Sequence, residues 1–246
     1  YCTERTDHSL GSSDRLDGAY AEYVWIPYAD RMLVKMPDQI TFEEAALADP
    51  LATPIHAIRC SRFKPGDAVA VLGAGPIGLL AVQLLKRSGA SQVICTEVSP
   101  QRASIAKELG ADYVLNPAAE GETLTARVAE VTGGLGVDIA FECAGTPAAI
   151  QQSLDLVRPG GQVMAVGVIE QEIPVNPLDI VLKEIDLRGS LACSKYELEL
   201  AIGLLAQGKV NTELMLSDTI PLDDIEARGF RRLISSPEVV KIVVKP

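Results

Sequence analysis

The pattern of apolar and polar positions is most regular between residues 69 and 97. A short apolar run at 69–72 is typical of a strand buried on both faces. The glycine turn G-A-G-P-I-G follows at 73–78, and apolar residues then recur at helical spacing. A second apolar run at 93–96 ends on Glu97. The order of strand, glycine turn, helix and strand predicts a βαβ unit.

The same alternation continues to residue 168 with short connections. Further strands are predicted at 113–115, 137–143 and 162–168, and the helices between them start at Ser99-Pro100, near Thr123 and at Thr146-Pro147. The predicted fold class is therefore α/β, a Rossmann doubly wound parallel sheet covered on both faces. The turns after Leu72, Glu97, Cys143 and Val166 are expected to surround one crevice at the carboxyl ends of the strands.

The flanking regions are less regular. On the amino-terminal side the pattern predicts strands at 19–26 and 31–35, a capped helix at 43–47 that the stretch 49–54 interrupts, and a new helix at 55–62. On the carboxyl-terminal side it predicts helices at 178–184, 197–207 and 222–233 and strands at 187–191 and 239–244. In the helix after the glycine turn, Gln83, Lys86 and Arg87 are expected on the outer face.

The spacing of Gly73, Gly75 and Gly78 predicts a dinucleotide site. The first glycine permits the tight turn, the second lets the backbone approach a pyrophosphate, and the third lets helix and strand pack closely. Glu97 stands where a carboxylate accepts hydrogen bonds from the ribose of NAD and repels the 2′-phosphate of NADP, although Arg102 nearby softens that repulsion. The competing interpretation is a strand–turn–helix without any ligand.

Charge and cysteine content narrow the function classes. The chain has 22 basic and 33 acidic residues, a net charge of −11, and no basic run, which argues against nucleic-acid binding. No apolar segment is long enough to span a bilayer, so we expect a soluble, cytoplasmic protein without a membrane partner. The five scattered cysteines favour a reducing compartment. Because the chain begins at Tyr1, we expect a fragment of a longer protein.

Several motifs occur together in an order that resembles the zinc-dependent medium-chain dehydrogenases, in particular the sorbitol, threonine and butanediol dehydrogenase branch. These motifs lie at residues 17–23, 42–51, 56–57, 73–78, 109–112 and 158–161. The resemblance covers essentially the whole chain. The family's amino-terminal part, with its first zinc cysteine and its Gly-His-Glu motif, has no counterpart in this sequence.

The resemblance implies a division of the chain and a set of coenzyme contacts. Residues 1–52 and 192–246 would be remnants of a GroES-like catalytic domain, and residues 53–191 the NAD-binding Rossmann domain. By position, the implied contacts with the coenzyme involve Thr53, Pro76, Ile77, Arg102, Ala144, Val166, Val168, Ser190, Ala192 and Lys241. Thr53 and Ile77 would lie at the nicotinamide, the backbone near Ser190 and Ala192 at its carboxamide, and Lys241 at the pyrophosphate.

Asp49 is the residue that the resemblance implies for the metal site, as a zinc ligand or a close neighbour of the zinc. From the local sequence alone, an aspartate that ends a helix before Pro50 is the simpler interpretation. His56 is expected to have a packing or supporting role. Cys2 would be the last cysteine of the family's structural zinc site.

Three functions follow as hypotheses. The first is NAD-dependent, zinc-assisted oxidation of a secondary alcohol or polyol, with Asp49 and Thr53 in the catalytic site and a small-molecule alcohol as substrate. The second is a metal-free quinone or enone reductase on the same scaffold. The third is a non-catalytic dinucleotide-binding module. By analogy with the family, a homodimer or homotetramer is expected.

Overall fold

The computed structural model describes residues 10, 11, 13 and 15–246, and its centre is one parallel sheet. The strands of this sheet are β1 (Ala68–Leu72), β2 (Gln92–Thr96), β3 (Tyr113–Leu115), β4 (Val137–Glu142), β5 (Val157–Ala165) and β6 (Asp186–Gly189). They are hydrogen-bonded in the order β3-β2-β1-β4-β5-β6, and every pair is parallel. This order is that of a doubly wound dinucleotide-binding sheet, so the predicted Rossmann fold is confirmed.

Helices connect the strands and cover the sheet. Within the described residues they are α1 (Ala29–Met32), α2 (Phe42–Ala45), α3 (Ala48–Cys60), α4 (Pro76–Arg87), α5 (Pro100–Glu108), α6 (Pro117–Glu120), α7 (Leu124–Val131), α8 (Pro147–Leu156), α9 (Pro177–Lys183), α10 (Lys195–Ala206) and α11 (Arg231–Ser235). Short 3-10 turns lie at Gly121–Thr123 and Leu222–Asp224, and a π-helix lies at Ile225–Phe230. None of the helices in this part of the chain has the length and apolar character that crossing a membrane requires.

The sheet has one apolar core on each face. Val69 and Val71 belong to one buried cluster, whereas Ala70 and Leu72 belong to the other. Successive side chains of a strand point to opposite faces, so a run with no polar residue is what a strand covered by helices on both sides requires.

Helix α3 differs from the prediction, because it runs without a break through the stretch 49–54. Pro50 lies in the first turn, where its missing N–H removes no intrahelical hydrogen bond. Pro54 lies further in, and its side chain is buried. Burial of α3 against α4 and α10 outweighs the local preference of proline for a helix end.

The strands predicted at 19–26 and 31–35 are wrong. The first segment has no strand, and α1 overlaps the second. A strand needs a neighbouring strand to hydrogen-bond its main-chain N–H and C=O groups, and among the described residues none pairs with 19–26. Its aromatic residues, including Tyr23 (91% exposed) and Trp25 (73% exposed), face outward.

The carboxyl-terminal segment forms a second, two-stranded parallel sheet of β7 (Leu216–Pro221) and β8 (Lys241–Lys245). Strand β7 was not predicted. The helix predicted at 222–233 is instead a succession of 3-10, π and α turns that ends at Ser235. Asp218 of β7 holds this connection through ion pairs with Arg228 and Arg232.

Gln83 also differs from the prediction, because it is only 5% exposed rather than on the outer face of α4. Its amide oxygen accepts a hydrogen bond from the Asn211 main-chain N–H at 2.8 Å, and its amide nitrogen donates to the Asn211 carbonyl at 3.4 Å. This pair joins α4 to the segment between α10 and β7. The predicted divisions at 52 and 191 stay predictions; the first lies inside α3.

Candidate functional site

The glycine turn at 73–78 leads from β1 into α4. Gly73 has a φ of +96°, a conformation that favours glycine, and a Cβ there would lie 2.9 Å from Ala144. A Cβ at Gly78 would lie 1.8 Å from the Gly73 carbonyl oxygen. Gly75 is the N-cap of α4, Pro76 is its first residue, and the space around the Cα of Gly75 is open. The turn therefore leaves room for a ligand in front of the α4 N-terminus, where free N–H groups favour an anion.

The Glu97 carboxylate is 8% exposed and is held by main-chain N–H groups. Its Oε2 accepts a hydrogen bond from Ala74 at 2.7 Å, and its Oε1 accepts from Val98 and Ser99 at 2.9 and 2.8 Å. Glu97 thus joins the end of β2 to the glycine turn. A carboxylate oxygen can accept more than one hydrogen bond, so capacity remains for ribose hydroxyls.

The first cavity, of about 340 Å³, lies at the carboxyl ends of β1, β2 and β4. Among its lining residues are Gly73, Glu97, Val98, Pro117, Ala144 and Thr146. Its position at the strand-order reversal, between β1 and β4, is where doubly wound sheets bind nucleotides.

The second cavity, of about 390 Å³, adjoins the first, and Ala144 lines both. It brings together seven predicted site residues: Asp49, Thr53, Ile77, Ala144, Val166, Val168 and Ala192. Val166 is buried in the core as well, but Val168 is 69% exposed and is not a core residue. The two cavities together form a crevice at the carboxyl ends of the strands, where the sequence analysis predicted one.

The predicted coenzyme contacts Arg102, Ser190 and Lys241 do not line these cavities. Arg102 donates from Nη2 to the Val239 carbonyl at 2.7 Å, and its Nε is buried without a partner among the described residues. Ser190 donates its main-chain N–H to the Ala165 carbonyl at 2.8 Å. Burial lowers the pKa of Lys241, and the negative charge of Asp49 partly offsets that effect.

Asp49 is exposed on α3 and reaches the second cavity. Burial raises the pKa of the Cys193 thiol, and the nearby charge of Asp49 raises it further. No three His, Cys, Asp or Glu side chains come together as a metal site in the described part of the chain. Since a catalytic zinc needs three protein ligands, these residues do not by themselves form the site. The role suggested for Cys2 lies outside the described residues.

His56 lies beside a buried carboxylate on the neighbouring helix. Its Nδ1 is 3.4 Å from Oε1 of Glu197, and the Arg59 Nε is 3.4 Å from the same oxygen. Burial disfavours ionisation of Glu197, but hydrogen bonds from Ser194 together with His56 outweigh it and lower the pKa of Glu197 to about 2. His56 therefore joins α3 to α10, in line with the predicted packing role.

Glu142, at the end of β4, was missed by the sequence analysis. Its side chain is 0% exposed, and its Oε1 accepts hydrogen bonds from the main-chain N–H groups of Ala144 and Gly145 at 2.8 and 2.7 Å. Burial raises its pKa, against the opposing effect of these N–H groups. The signal was a carboxylate in an apolar run directly before a predicted crevice turn, the position that Glu97 holds on β2.

Comparison with known proteins agrees with this geometry. A family model described as zinc-binding dehydrogenase matches residues 76–207. The chain is 36% identical over 229 residues to (R,R)-butanediol dehydrogenase of Bacillus subtilis (strain 168), covering 93% of this chain and 64% of that protein. It is also 36% identical over 232 residues to sorbitol dehydrogenase of the same organism, covering 94% of this chain and 64% of that protein.

A solved structure shares the fold in detail. It is described as a zinc-binding dehydrogenase of Sinorhizobium meliloti 1021 bound to NADP, and the TM-score is 0.82 at 33% identity, over 94% of this chain and 66% of that chain. The predicted cofactor classes, a nicotinamide dinucleotide and zinc, are those of this group of proteins. The chain spans 64% of the length of the two Bacillus relatives.

Proposed function

The chain belongs to the zinc-binding dehydrogenase family, and from that premise we propose that the protein oxidises a secondary alcohol or a polyol with NAD. The observation that carries the proposal is the meeting of the two cavities at Ala144, along the carboxyl ends of β1, β2, β4 and β5. A dinucleotide is an elongated ligand with a ring at each end. Two adjoining cavities on either side of a glycine turn fit that shape.

Different described residues would contact different parts of the coenzyme. The N–H groups at the start of α4, made accessible by Gly75, would hold the pyrophosphate. Glu97 would hold the adenosine ribose in the first cavity. Thr53, Ile77, Val166 and Ala192 would form the nicotinamide pocket in the second cavity. When bound, the coenzyme supplies a hydride acceptor at the nicotinamide C4.

We propose NAD rather than NADP as the coenzyme. The Glu97 carboxylate borders the first cavity and would repel a 2′-phosphate. Arg102, the cation that would soften this repulsion, donates instead to the Val239 carbonyl. NADP is the alternative, because a protein of similar structure is described as bound to NADP. Affinities measured for both coenzymes decide between NAD and NADP.

Asp49 is this chain's proposed contribution to the zinc site. The described residues contain no group of three possible metal ligands, which such a site needs, so we assign no reaction step to zinc. Zinc dependence stays in the proposal because Asp49 lies in the second cavity beside the proposed nicotinamide pocket.

The test combines binding and turnover. Fluorescence titration with NADH is expected to show saturable binding to this chain, and the protein with its complete catalytic part is expected to reduce NAD with sorbitol or 2,3-butanediol until a chelator removes the metal. Alcohol turnover that survives chelation would refute the zinc mechanism, and reduction of a quinone or enone in its place would favour the metal-free reductase. Binding without turnover of any alcohol, quinone or enone would favour the dinucleotide-binding module, and absence of binding to both NADH and NADPH would refute all three.

We also propose a homodimer in which the β6 edges of two sheets pair. β6 is the last strand of the sheet, so one of its sides has no strand partner among the described residues. Leu187 of β6 and Leu178, Val181 and Leu182 of α9, the helix that leads into β6, are exposed apolar residues. A cytoplasmic location is proposed from the thiols of Cys60, Cys95, Cys143 and Cys193, which are free.

A further inference from the structure

Glu142 connects the two loops that form one wall of the second cavity. Its side-chain Oε1 accepts from the N–H groups of Ala144 and Gly145, in the loop after β4. Its main-chain oxygen accepts from Val166 and Gly167, in the loop after β5, at 2.9 and 2.8 Å. Residues 143–145 and 166–168 all line the second cavity. Glu142 thus fixes the relative position of the two loops.

The loops meet closely around the Glu142 carboxylate. A Cβ at Gly167 would lie 2.6 Å from Oε2 of Glu142 and 2.4 Å from the main-chain N of Gly145. Gly145 has a φ of +66°, and a Cβ there would lie 2.8 Å from the Val168 carbonyl oxygen. Both positions require glycine because the carboxylate and the opposite loop occupy the space that a side chain would need.

The burial of Glu142 is costly for folding alone. Its Oε2 is buried and has no hydrogen-bond partner among the described residues, and no cation in that part of the chain pairs with the carboxylate. A buried carboxyl group with one oxygen lacking a hydrogen-bond partner opposes stability, even though Oε1 is hydrogen-bonded. The position of Glu142 is explained if its carboxylate holds the two loops at the separation that a bound ligand needs.

We propose that Glu142 is a positioning residue for the nicotinamide end of the coenzyme. It acts through Ala144 and Gly145, which it holds against the loop that carries Val166 and Val168. This inference rests on the proposed coenzyme function. The glycine turn has separate supports, because Gly73 donates to the Thr96 carbonyl at 2.8 Å and Ala74 donates to Glu97. Ala144 lines both cavities, so loss of the Glu142 carboxylate is expected to weaken binding of the nicotinamide end strongly and binding of the adenosine end only slightly.

The experiment compares two ligands on the same protein. NADH occupies both cavities, whereas ADP-ribose lacks the nicotinamide and occupies the adenosine and pyrophosphate part. For E142A we expect NADH affinity to fall by roughly tenfold, because two main-chain N–H groups lose their acceptor, while ADP-ribose affinity changes by less than about twofold. E142Q keeps a carbonyl oxygen for both N–H groups and is expected to bind NADH nearly as well as the wild type.

A shorter carboxylate provides a second variant that is expected to lose NADH affinity. E142D keeps the charge but is one methylene shorter, so it is expected to show the selective loss of NADH affinity even if E142A does not fold, with thermal unfolding monitored for each variant. Equal losses for NADH and ADP-ribose, or unchanged NADH affinity in both loss variants, would overturn the inference while leaving the proposed coenzyme intact. A wild-type protein that binds neither ligand would overturn the proposed function and this inference with it.

Discussion

The Oε2 atom of Glu97 accepts the hydrogen bond of the Ala74 main-chain N–H across 2.7 Å. The acid that is expected to hold the ribose is therefore also a support of the glycine turn. Glutamine removes the charge and keeps one of the two acceptor oxygens, whereas alanine removes the charge and both acceptors.

The first prediction concerns coenzyme preference. In E97Q the charge that repels a 2′-phosphate is lost, so the ratio of NADPH to NADH affinity is expected to rise about tenfold, which corresponds to roughly 1.4 kcal/mol. E97A also removes the acceptor for Ala74 and is expected to weaken both coenzymes. Fluorescence titration with each coenzyme checks this, with E108Q on the exposed side of α5 as the charge-matched control. An unchanged ratio in E97Q would mean that Glu97 does not face the ribose.

The second prediction compares two glycines three positions apart. Gly75 has a φ of −73° and open space around its Cα, so G75A is expected to fold with unchanged or slightly raised stability. Its new methyl group stands where the pyrophosphate would approach, so NADH binding is expected to be lost. At Gly78 a methyl group would lie 1.8 Å from the Gly73 carbonyl oxygen, so G78A is expected to lose about 2–4 kcal/mol of stability.

Thermal unfolding and NADH titration of these two variants separate the two roles. G75A that binds NADH as tightly as the wild type would place the ligand elsewhere. G78A with wild-type stability would contradict the close helix–strand contact at this position.

The sequence predicted the central βαβ unit because its signals are local. The glycine turn, the buried strand before it and Glu97 after it lie within thirty residues and depend on one another only through short-range geometry. The sequence also predicted that both faces of β1 are buried, because a strand without polar residues is typical of a sheet covered on both sides. Val69 and Val71 are indeed buried on one face, and Ala70 and Leu72 on the other.

Features that depend on distant partners were not predictable in the same way. Pro50 and Pro54 indicated a break in α3, but packing against α4 and the distant α10 keeps that helix continuous. Gln83 indicated a solvent-facing position because its partner, Asn211, is 128 residues away. Glu142 escaped notice for a different reason: its partners are main-chain N–H groups, which leave no trace in the pattern of side chains.

The third prediction concerns acid stability. The pKa of Glu197 falls from 4.5 to about 2 on folding, so its ionised form stabilises the native state. This contribution is fully present above about pH 4.5 and is lost as the pH falls through 2, and it amounts to at most about 3 kcal/mol. E197Q is expected to be less stable at pH 7 and to lose less stability between pH 5 and pH 2 than the wild type.

Urea unfolding at several pH values measures this difference. E199Q, on the exposed side of the same helix, removes the same charge without touching His56 or Ser194 and is expected to follow the wild-type curve. Parallel curves for E197Q and the wild type would show that the contacts of Glu197 do not depend on its charge.

The fourth prediction concerns association through β6. Leu182 is 72% exposed on α9, the helix that leads into β6, so L182D is not expected to disturb the fold, but it would place a charge in the proposed interface and cost several kcal/mol of association free energy. Sedimentation equilibrium at micromolar concentration is expected to find a dimer for the wild type and a monomer for L182D. Leu135, which is 67% exposed in the loop before β4, provides the control: β4 is an interior strand two positions from β6, so L135D introduces the same charge away from the proposed interface and is expected to remain dimeric. If L182D also remains dimeric, the subunits associate through another surface, and the apolar residues of α9 need a different partner.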